Sequence, residues 1–483
     1  MQLFAIFKII GLLLMLFSTT MLTPLVVDLI YREGDTLPFV IGFVVTFASG
    51  LLLWWPLRRY RKELRLRDGF LVVVLFWTIL GLAGSIPLYY TLTPYMHFTD
   101  AVFESISGLT TTGATVITGL DDLPHAVLFY RQQLQWLGGM GIIVLAVAVL
   151  PMLGIGGMSL YRAETPGPMK DSRLTPRLTE TAKALWYIYL GLTIACALGY
   201  WLSGMDVFDA ISHSFATVSI GGFSTHDASM GYFHSPLIEM VAVVFMILSG
   251  VNFALHFIAW RSLSLKTYLQ DSEFKTYILI LAGVSAITVV YLYWSDTYIY
   301  AENALHHGLF QAVSIGTTTG FTTAEYHVWP GFLPVMLLFA SFIGGCAGST
   351  GGGMKVVRFL LLLKQGRREI VRLVHPTAVI PIRMGDKVVP PHIIESVWGF
   401  FAAYVAIFSI MLLILMMTGL DQVSAFSAVA ASLNNLGPGL GQVGANYATV
   451  SDTAKWVLSL GMIMGRLEIF TLLVILSPAF WRR

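Results

Sequence analysis

The sequence predicts an all-α polytopic membrane protein. Three observations carry that prediction. Hydrophobic residues are 56% of the 483 and charged residues 12%, with a mean hydropathy of +0.75. So much apolar surface must face lipid or other helices. Ten stretches reach the roughly 20 mainly apolar residues that a membrane-crossing helix needs. Four short glycine-bearing segments each sit between two of those stretches. The expected layout is four M1–pore helix–M2 repeats around a central pore, plus two N-terminal transmembrane helices.

The ten stretches run approximately over 4–31, 37–57, 70–92, 130–155, 183–203, 236–260, 274–295, 331–363, 394–418 and 455–480. The first follows a single early Lys8 and runs from Ile9 to Ile30. It is too long for a signal-peptide core and lacks a small-residue cleavage site, so it reads as a retained helix. A shorter apolar-rich segment lies between the third and fourth stretches, and likewise between the fifth and sixth, seventh and eighth, and ninth and tenth. Each is only about a dozen residues long, too short to span, and suits a re-entrant half-helix. The implied divisions are 1–68 for the two N-terminal helices, then repeats at 69–160, 161–270, 271–390 and 391–483.

The basic residues orient this layout. The 29 lysines and arginines fall at the ends and in alternate loops, except Arg32, Arg131, Lys455 and the intrahelical Arg466. One loop holds Arg58, Arg59, Arg61, Lys62, Arg65 and Arg67; the next holds Arg162, Lys170, Arg173, Arg177 and Lys183. A third cluster runs from Lys355 to Lys387. With these loops and both termini cytoplasmic, all four glycine segments dip in from outside.

Those segments read Leu109-Thr110-Thr111-Thr112-Gly113-Ala114, Val218-Ser219-Ile220-Gly221-Gly222-Phe223, Gly316-Thr317-Thr318-Thr319-Gly320-Phe321 and Leu433-Asn434-Asn435-Leu436-Gly437-Pro438. Thirteen residues before Gly113 lies Asp100, and thirteen before Gly222 lies Asp209. Similarity at a shared offset marks them as copies. One such segment alone would read as a helix-packing face; four in register, all outside, read as a cation filter. Glycine permits the crowded, extended backbone whose carbonyls can replace an ion's water shell. The candidate ligands are the carbonyls of Thr111, Thr112 and Gly113; Ile220, Gly221 and Gly222; Thr318, Thr319 and Gly320; and Asn435, Leu436 and Gly437. Neutral oxygens of this kind suit potassium, and no carboxylate ring lies within the strands. Asp121, Asp122, Glu325 and Asp452 are candidates to raise the local cation concentration outside, or are ordinary solvated loop residues.

Two further features lie on the inner side. Residues Gly344 to Gly353 hold six glycines, enough to unwind a helix. An unwound run is tolerated in a membrane only where it lines a cavity or is covered by protein. Arg466 lies in the last stretch, where a charge costs about 2.5–3.5 kcal/mol and must face the bundle interior or water. It is either a pore residue or a structural ion-pair partner of Glu468 or another acid. Enzyme chemistry finds no support: there is no His/Asp/Glu constellation or nucleophile motif. Gly348 to Lys355 resembles a phosphate loop only superficially, because Met354 separates glycine from lysine. Cys196 and Cys346 suggest neither a disulfide framework nor a metal site. His306 and His307 read as structural or interfacial.

On the four segments, on Gly344-Gly345-Cys346-Ala347-Gly348-Ser349-Thr350-Gly351-Gly352-Gly353-Met354-Lys355 and on Gly465-Arg466-Leu467-Glu468, the chain resembles the Trk/Ktr/HKT superfamily of potassium transporters over nearly its whole length. The two extra N-terminal helices resemble those of the bacterial Trk membrane subunits. The resemblance implies channel-like potassium uptake across the bacterial inner membrane, K+ as the transported ion and no organic cofactor. An ion-coupled symporter, moving H+ or Na+ with K+, is the alternative. The resemblance also implies a gate beneath the filter, made of Gly345, Gly348, Ser349, Thr350, Gly351, Gly352 and Gly353 with Arg466. It further implies a homodimer docked on a TrkA-like cytosolic nucleotide-binding regulatory subunit. Plant members with serine at the position matching Gly113 favour sodium, so the resemblance marks Gly113 as a selectivity residue.

Overall fold

A computed structural model describes residues 1–60, 65–92, 94, 96–144, 178–385 and 387–482. Arg61, Lys62, Arg162, Lys170, Arg173, Arg177, Arg483 and the end of the expected 130–155 span lie outside the described residues. Among the described residues the protein is helical apart from a two-stranded antiparallel hairpin pairing Arg383–Met384 with Lys387–Val388.

Among the described residues, six helical segments are long and apolar enough to cross a membrane: Leu3–Tyr31, Thr36–Trp54, Arg67–Thr91, Lys183–Leu202, Ser272–Trp294 and Pro391–Met417. Their outer faces carry large exposed apolar side chains such as Leu52, Leu202, Leu279 and Leu413. In water those faces would be a liability; against lipid tails they are at home. The multi-pass architecture expected from composition is the one observed.

Three further expected spans are not single helices, two of them sharply bent. Pro236–Ser249 and Phe253–Ser262 meet at 94°. The break follows Gly250, whose hydrogen sits where a Cβ would meet Tyr277 Oη at 2.1 Å. Asn252 then caps the new helix, accepting from Ala254 N at 2.8 Å. Asp452–Arg466 and Phe470–Leu476 meet at 114°. Glu468 and Ile469 both take positive φ there, at 54° and 57°. Arg466 therefore ends a helix rather than lying in the middle of one. The 331–363 stretch is divided as its glycines require: Leu333–Ile343, an irregular loop, then Val356–Val374.

The four short helices are Phe98–Leu109, Val207–Val218, Ala301–Gly316 and Gln422–Leu433. Their C-terminal parts lie in the interior. Every residue from Ala101 to Leu109 is buried, and so is every one from Ser427 to Leu433. Their many Ser and Ala side chains fit because the surroundings are protein, with no lipid to satisfy.

Candidate functional site

All four short helices end in the same way. The first residue past the C-cap adopts the left-handed conformation, and its N–H bonds back three residues; the next N–H bonds back five. The pairs are Thr111 N to Gly108 O (2.9 Å) with Thr112 N to Ser107 O (2.9 Å), and Ile220 N to Thr217 O (3.1 Å) with Gly221 N to Ala216 O (2.8 Å). The third and fourth helices repeat this: Thr318 N to Ile315 O (3.0 Å) with Thr319 N to Ser314 O (2.8 Å), and Asn435 N to Ser432 O (3.2 Å) with Leu436 N to Ala431 O (2.8 Å). This is a Schellman ending, normally built on glycine. Here the left-handed residues are Thr111, Ile220, Thr318 and Asn435, at φ 54°, 55°, 70° and 50°. Three of them are β-branched, for which positive φ is a genuine outlier. Such strain costs about 1–3 kcal/mol each and persists only where surroundings impose it.

Two residues later each chain reaches its glycine, again at positive φ: 82°, 78°, 87° and 96° for Gly113, Gly222, Gly320 and Gly437. These glycines close a ring. A Cβ on Gly113 would lie 2.1 Å from Gly221 O, one on Gly222 2.0 Å from Thr319 O, and one on Gly320 2.1 Å from Leu436 O. One on Gly437 would lie 2.7 Å from Thr112 O, which returns to the first segment. The contact order first, second, third, fourth, first puts backbone carbonyls from all four segments around one centre.

The first and third segments share one brace, and the second and fourth are held otherwise. The hydroxyls of Thr110 and Thr112 pair at 2.8 Å, as do those of Thr317 and Thr319. Gln135 reaches the second segment, donating from Nε2 to Gly221 O at 2.6 Å. In the fourth, Tyr447 Oη donates to Gly437 O at 2.8 Å and Asn435 Nδ2 donates to Thr112 Oγ1 at 3.0 Å. Gly221 O and Gly437 O, two of the twelve candidate carbonyls, thus already carry a protein donor. Neither Gln135 nor Tyr447 was among the sequence candidates.

Outside the ring lies a cavity of about 630 Å³, with Gly113, Gly222, Gly320 and Gly437 among its lining residues. Arg131 also lines it, with its guanidinium over the Phe223 ring. Arg131 pairs with the fully buried Glu104 at 2.8 Å and donates to Ser224 O at 3.0 Å. Glu104 also accepts from Val116 N at 2.9 Å. This ion pair ties the loops after the first and second glycines together. Arg131 stood out in sequence as one of the few basic residues outside the expected cytoplasmic loops, but nothing there named its partner. Of the outer acids, Glu325 lines the cavity, whereas Asp121, Asp122 and Asp452 do not. Asp121 faces His226 Nδ1, and Asp209 faces His226 Nε2 at 3.0 Å. Burial pulls the His226 pKa down, but its bonds to Asp209 and Asp121 outweigh that and raise it above the ordinary 6.5.

Beneath the ring the glycine-rich loop is pressed against the helix ends. Gly352 N donates to Thr318 Oγ1 at 2.7 Å and Gly353 N to Asn434 O at 3.0 Å. Thr350 Oγ1 donates to Val218 O at 3.0 Å. A Cβ on Gly351 would sit 3.2 Å from Thr317 O, and one on Gly352 1.9 Å from Asn434 O. Gly348 O accepts from Phe253 N at 3.0 Å, and Ser349 Oγ, which would crowd a Cβ on Gly345 at 2.7 Å, donates to Cys346 O at 2.7 Å. Arg466 meets this loop: Nη1 donates to Thr350 O at 3.0 Å and Nη2 to Gly138 O at 3.2 Å. Glu468 turns away after the helix break and pairs with Arg358. Sequence reasoning also missed Glu273, which accepts from Ala347 N at 2.7 Å and Val357 N at 3.2 Å, near the two ends of the loop. Lys355 Nζ donates to Gly351 O.

The TrkH family profile, described as a cation transport protein, matches residues 36–483. The chain belongs to the TrkH family. It is 59% identical, over the full length of both chains, to the Trk system potassium uptake protein TrkH of Vibrio parahaemolyticus. It is 56% identical over 99% of both to the protein of that name from Escherichia coli, and 43% identical over 98% of this chain to Escherichia coli TrkG. The crystal structure of the potassium transporter TrkH from Vibrio parahaemolyticus superposes with a TM-score of 0.92 at 57% identity, covering all of both chains. Membership places the chain among transport proteins rather than enzymes.

Proposed function

We propose that this protein is a potassium uptake pore of the bacterial inner membrane, with both termini cytoplasmic. The ring of four segments serves as its filter. The observation that carries this is the fourfold repetition of one strained helix ending, closed into a ring of backbone carbonyls beneath an open outer cavity. The proteins it resembles are named as potassium uptake proteins, and the same ion is proposed here. Potassium enters as cargo, held by carbonyls of residues 111–113, 220–222, 318–320 and 435–437. Many neutral oxygens of moderate field strength compensate for lost water without trapping the ion. The short helices turn their partly negative C-terminal ends toward the ring, which favours a cation there.

The loop Gly344 to Gly353 with Arg466 is proposed as the gate. A guanidinium bonded to the loop directly below the ring opposes an exiting cation electrostatically. The chain is proposed to divide into the two N-terminal helices and four repeats at the boundaries given above. Four copies entering from one side favour a pore over a coupled symporter, which is usually built on inverted repeats. A homodimer and a TrkA-like cytosolic subunit complete the reading. The exposed Arg367 and Arg372, with the part-buried Lys364 and Arg368 on the same helix, offer that subunit a basic stretch for acidic groups.

Purified protein in planar bilayers under opposed potassium and sodium gradients tests this. The expected result is a conductance reversing near the potassium equilibrium potential. Reversal near the sodium potential, or flux that stops when a proton gradient is collapsed, would overturn it.

A further inference from the structure

The second segment lacks the brace that the first and third share. Where those have hydroxyl pairs, Thr110 with Thr112 and Thr317 with Thr319, the second has Ser219 and Gly221. Ser219 Oγ instead donates to Ala216 O at 3.2 Å. Gln135, fully buried on the helix His125–Val144, takes up the task. Its Nε2 donates to Gly221 O at 2.6 Å and its Oε1 accepts from Phe223 N at 3.0 Å. The reversed amide would set acceptor against acceptor and donor against donor, so these two bonds fix its orientation. One side chain thus spans Gly222, whose backbone packs on Thr319 O of the next segment.

Gly221 itself explains the exchange. It is not in the left-handed region, so its backbone does not demand glycine. What demands it is room. A Cβ there would sit 2.4 Å from Gln135 Cδ, and the three nearest atoms all belong to Gln135. The amide stands where a threonine side chain would otherwise be.

We infer that Gln135 is a specificity-positioning residue of the filter, replacing a hydroxyl brace with a through-space one from the neighbouring helix. This rests on the pore reading above. Gln135 sets the position of Gly221 O and Phe223 N, and so the spacing of one corner of the ring. Its N–H also draws on one lone pair of Gly221 O, so that corner presents a weaker field than its neighbours. Both effects bear on ion choice, which depends on the number and field strength of the carbonyls.

The test measures bi-ionic potassium/sodium reversal potentials on the full chain in bilayers, for Gln135→Ala, Gln135→Glu and the double variant Gln135→Ala/Gly221→Thr. Glutamate keeps the size and the acceptor for Phe223 N but loses the donor. The double variant restores a hydroxyl opposite Ser219 in the space vacated. The expected result is a permeability ratio lowered on the order of two- to tenfold in both single variants, with most of the loss recovered in the double variant. Conductance that falls with the ratio unchanged means mere packing and overturns the inference. So does a double variant that regains protein level but not the ratio. Gly113→Ser runs alongside. If it shifts the ratio and the Gln135 variants do not, this inference fails while the pore reading stands. If neither shifts it, the pore reading fails.

Discussion

The ring glycines should differ in how badly they tolerate a methyl group, and the structure ranks them. Alanine at Gly113, Gly222, Gly320 or Gly437 must hold a positive φ, which costs an L-residue about 1–2 kcal/mol. The new Cβ must also clear a neighbouring carbonyl. At the first three positions it starts 2.0–2.1 Å from Gly221 O, Thr319 O or Leu436 O, against the 3.0 Å that real Cβ contacts essentially never breach. Both atoms are tied to backbone, so no rotamer relieves the clash. The adjacent strand must retreat by about 1 Å. At Gly437 the carbonyl of Thr112 is already 2.7 Å away and needs about a third of that shift. The φ cost is shared by all four and, 1.4 kcal/mol being tenfold, is worth about tenfold in potassium-over-sodium permeability; the added clash should take the first three variants beyond that. Gly437→Ala should lose less. Reversal potentials under mixed-ion conditions measure this, with membrane abundance checked for each variant. A ratio untouched by all four, or hit hardest at Gly437, would refute the ring geometry as the source of selectivity.

Further outcomes follow from the inner and outer faces. Arg466→Ala removes two charged hydrogen bonds, to Thr350 O and Gly138 O, each worth about 1.5–3 kcal/mol. Potassium flux in vesicles should rise about tenfold or more without the cytosolic partner, and unchanged flux at equal abundance would count against the gate. Glu273→Ala should also raise flux, because Ala347 N and Val357 N lose their acceptor, whereas Glu273→Gln, which can keep it, should stay near the parent in the same assay. His226 has a pKa raised above 6.5, so its clamp between Asp121 and Asp209 is complete below that pH and is lost as external pH rises through the folded value. Thermal unfolding of the reconstituted protein between about pH 6 and about pH 9 should show that loss, and His226→Gln should flatten the curve.

Six of the ten expected spans and the four segments were legible because both are written in local pattern. Twenty apolar residues name a membrane helix, and a repeated offset between polar start and glycine names a copy. The left-handed endings at Thr111, Ile220 and Thr318 were not legible, since β-branched residues argue against that conformation and only tertiary packing imposes it. Gly465-Arg466-Leu467-Glu468-Ile469 reads as good helix, yet the chain breaks there. Arg466 is drawn to the loop and Glu468 to Arg358, contacts more than a hundred residues away in sequence. Gln135 was not singled out, whereas Arg131 was visible as a basic residue outside the expected cytoplasmic loops. Their partners, Gly221 and Glu104, belong to other elements, and no spacing rule connects them. Sequence reasoning named the four segments that the structure brings together and missed the side chains that brace them.

The central claim is that one potassium path runs through the ring. Anomalous diffraction from crystals soaked in rubidium or thallium salt, heavy stand-ins for potassium, tests it most directly. The account predicts peaks on the ring axis, among the carbonyls of residues 111–113, 220–222, 318–320 and 435–437, that weaken when Gly222 is replaced by alanine. Ordered ion density away from the ring, with none among those carbonyls, would contradict it.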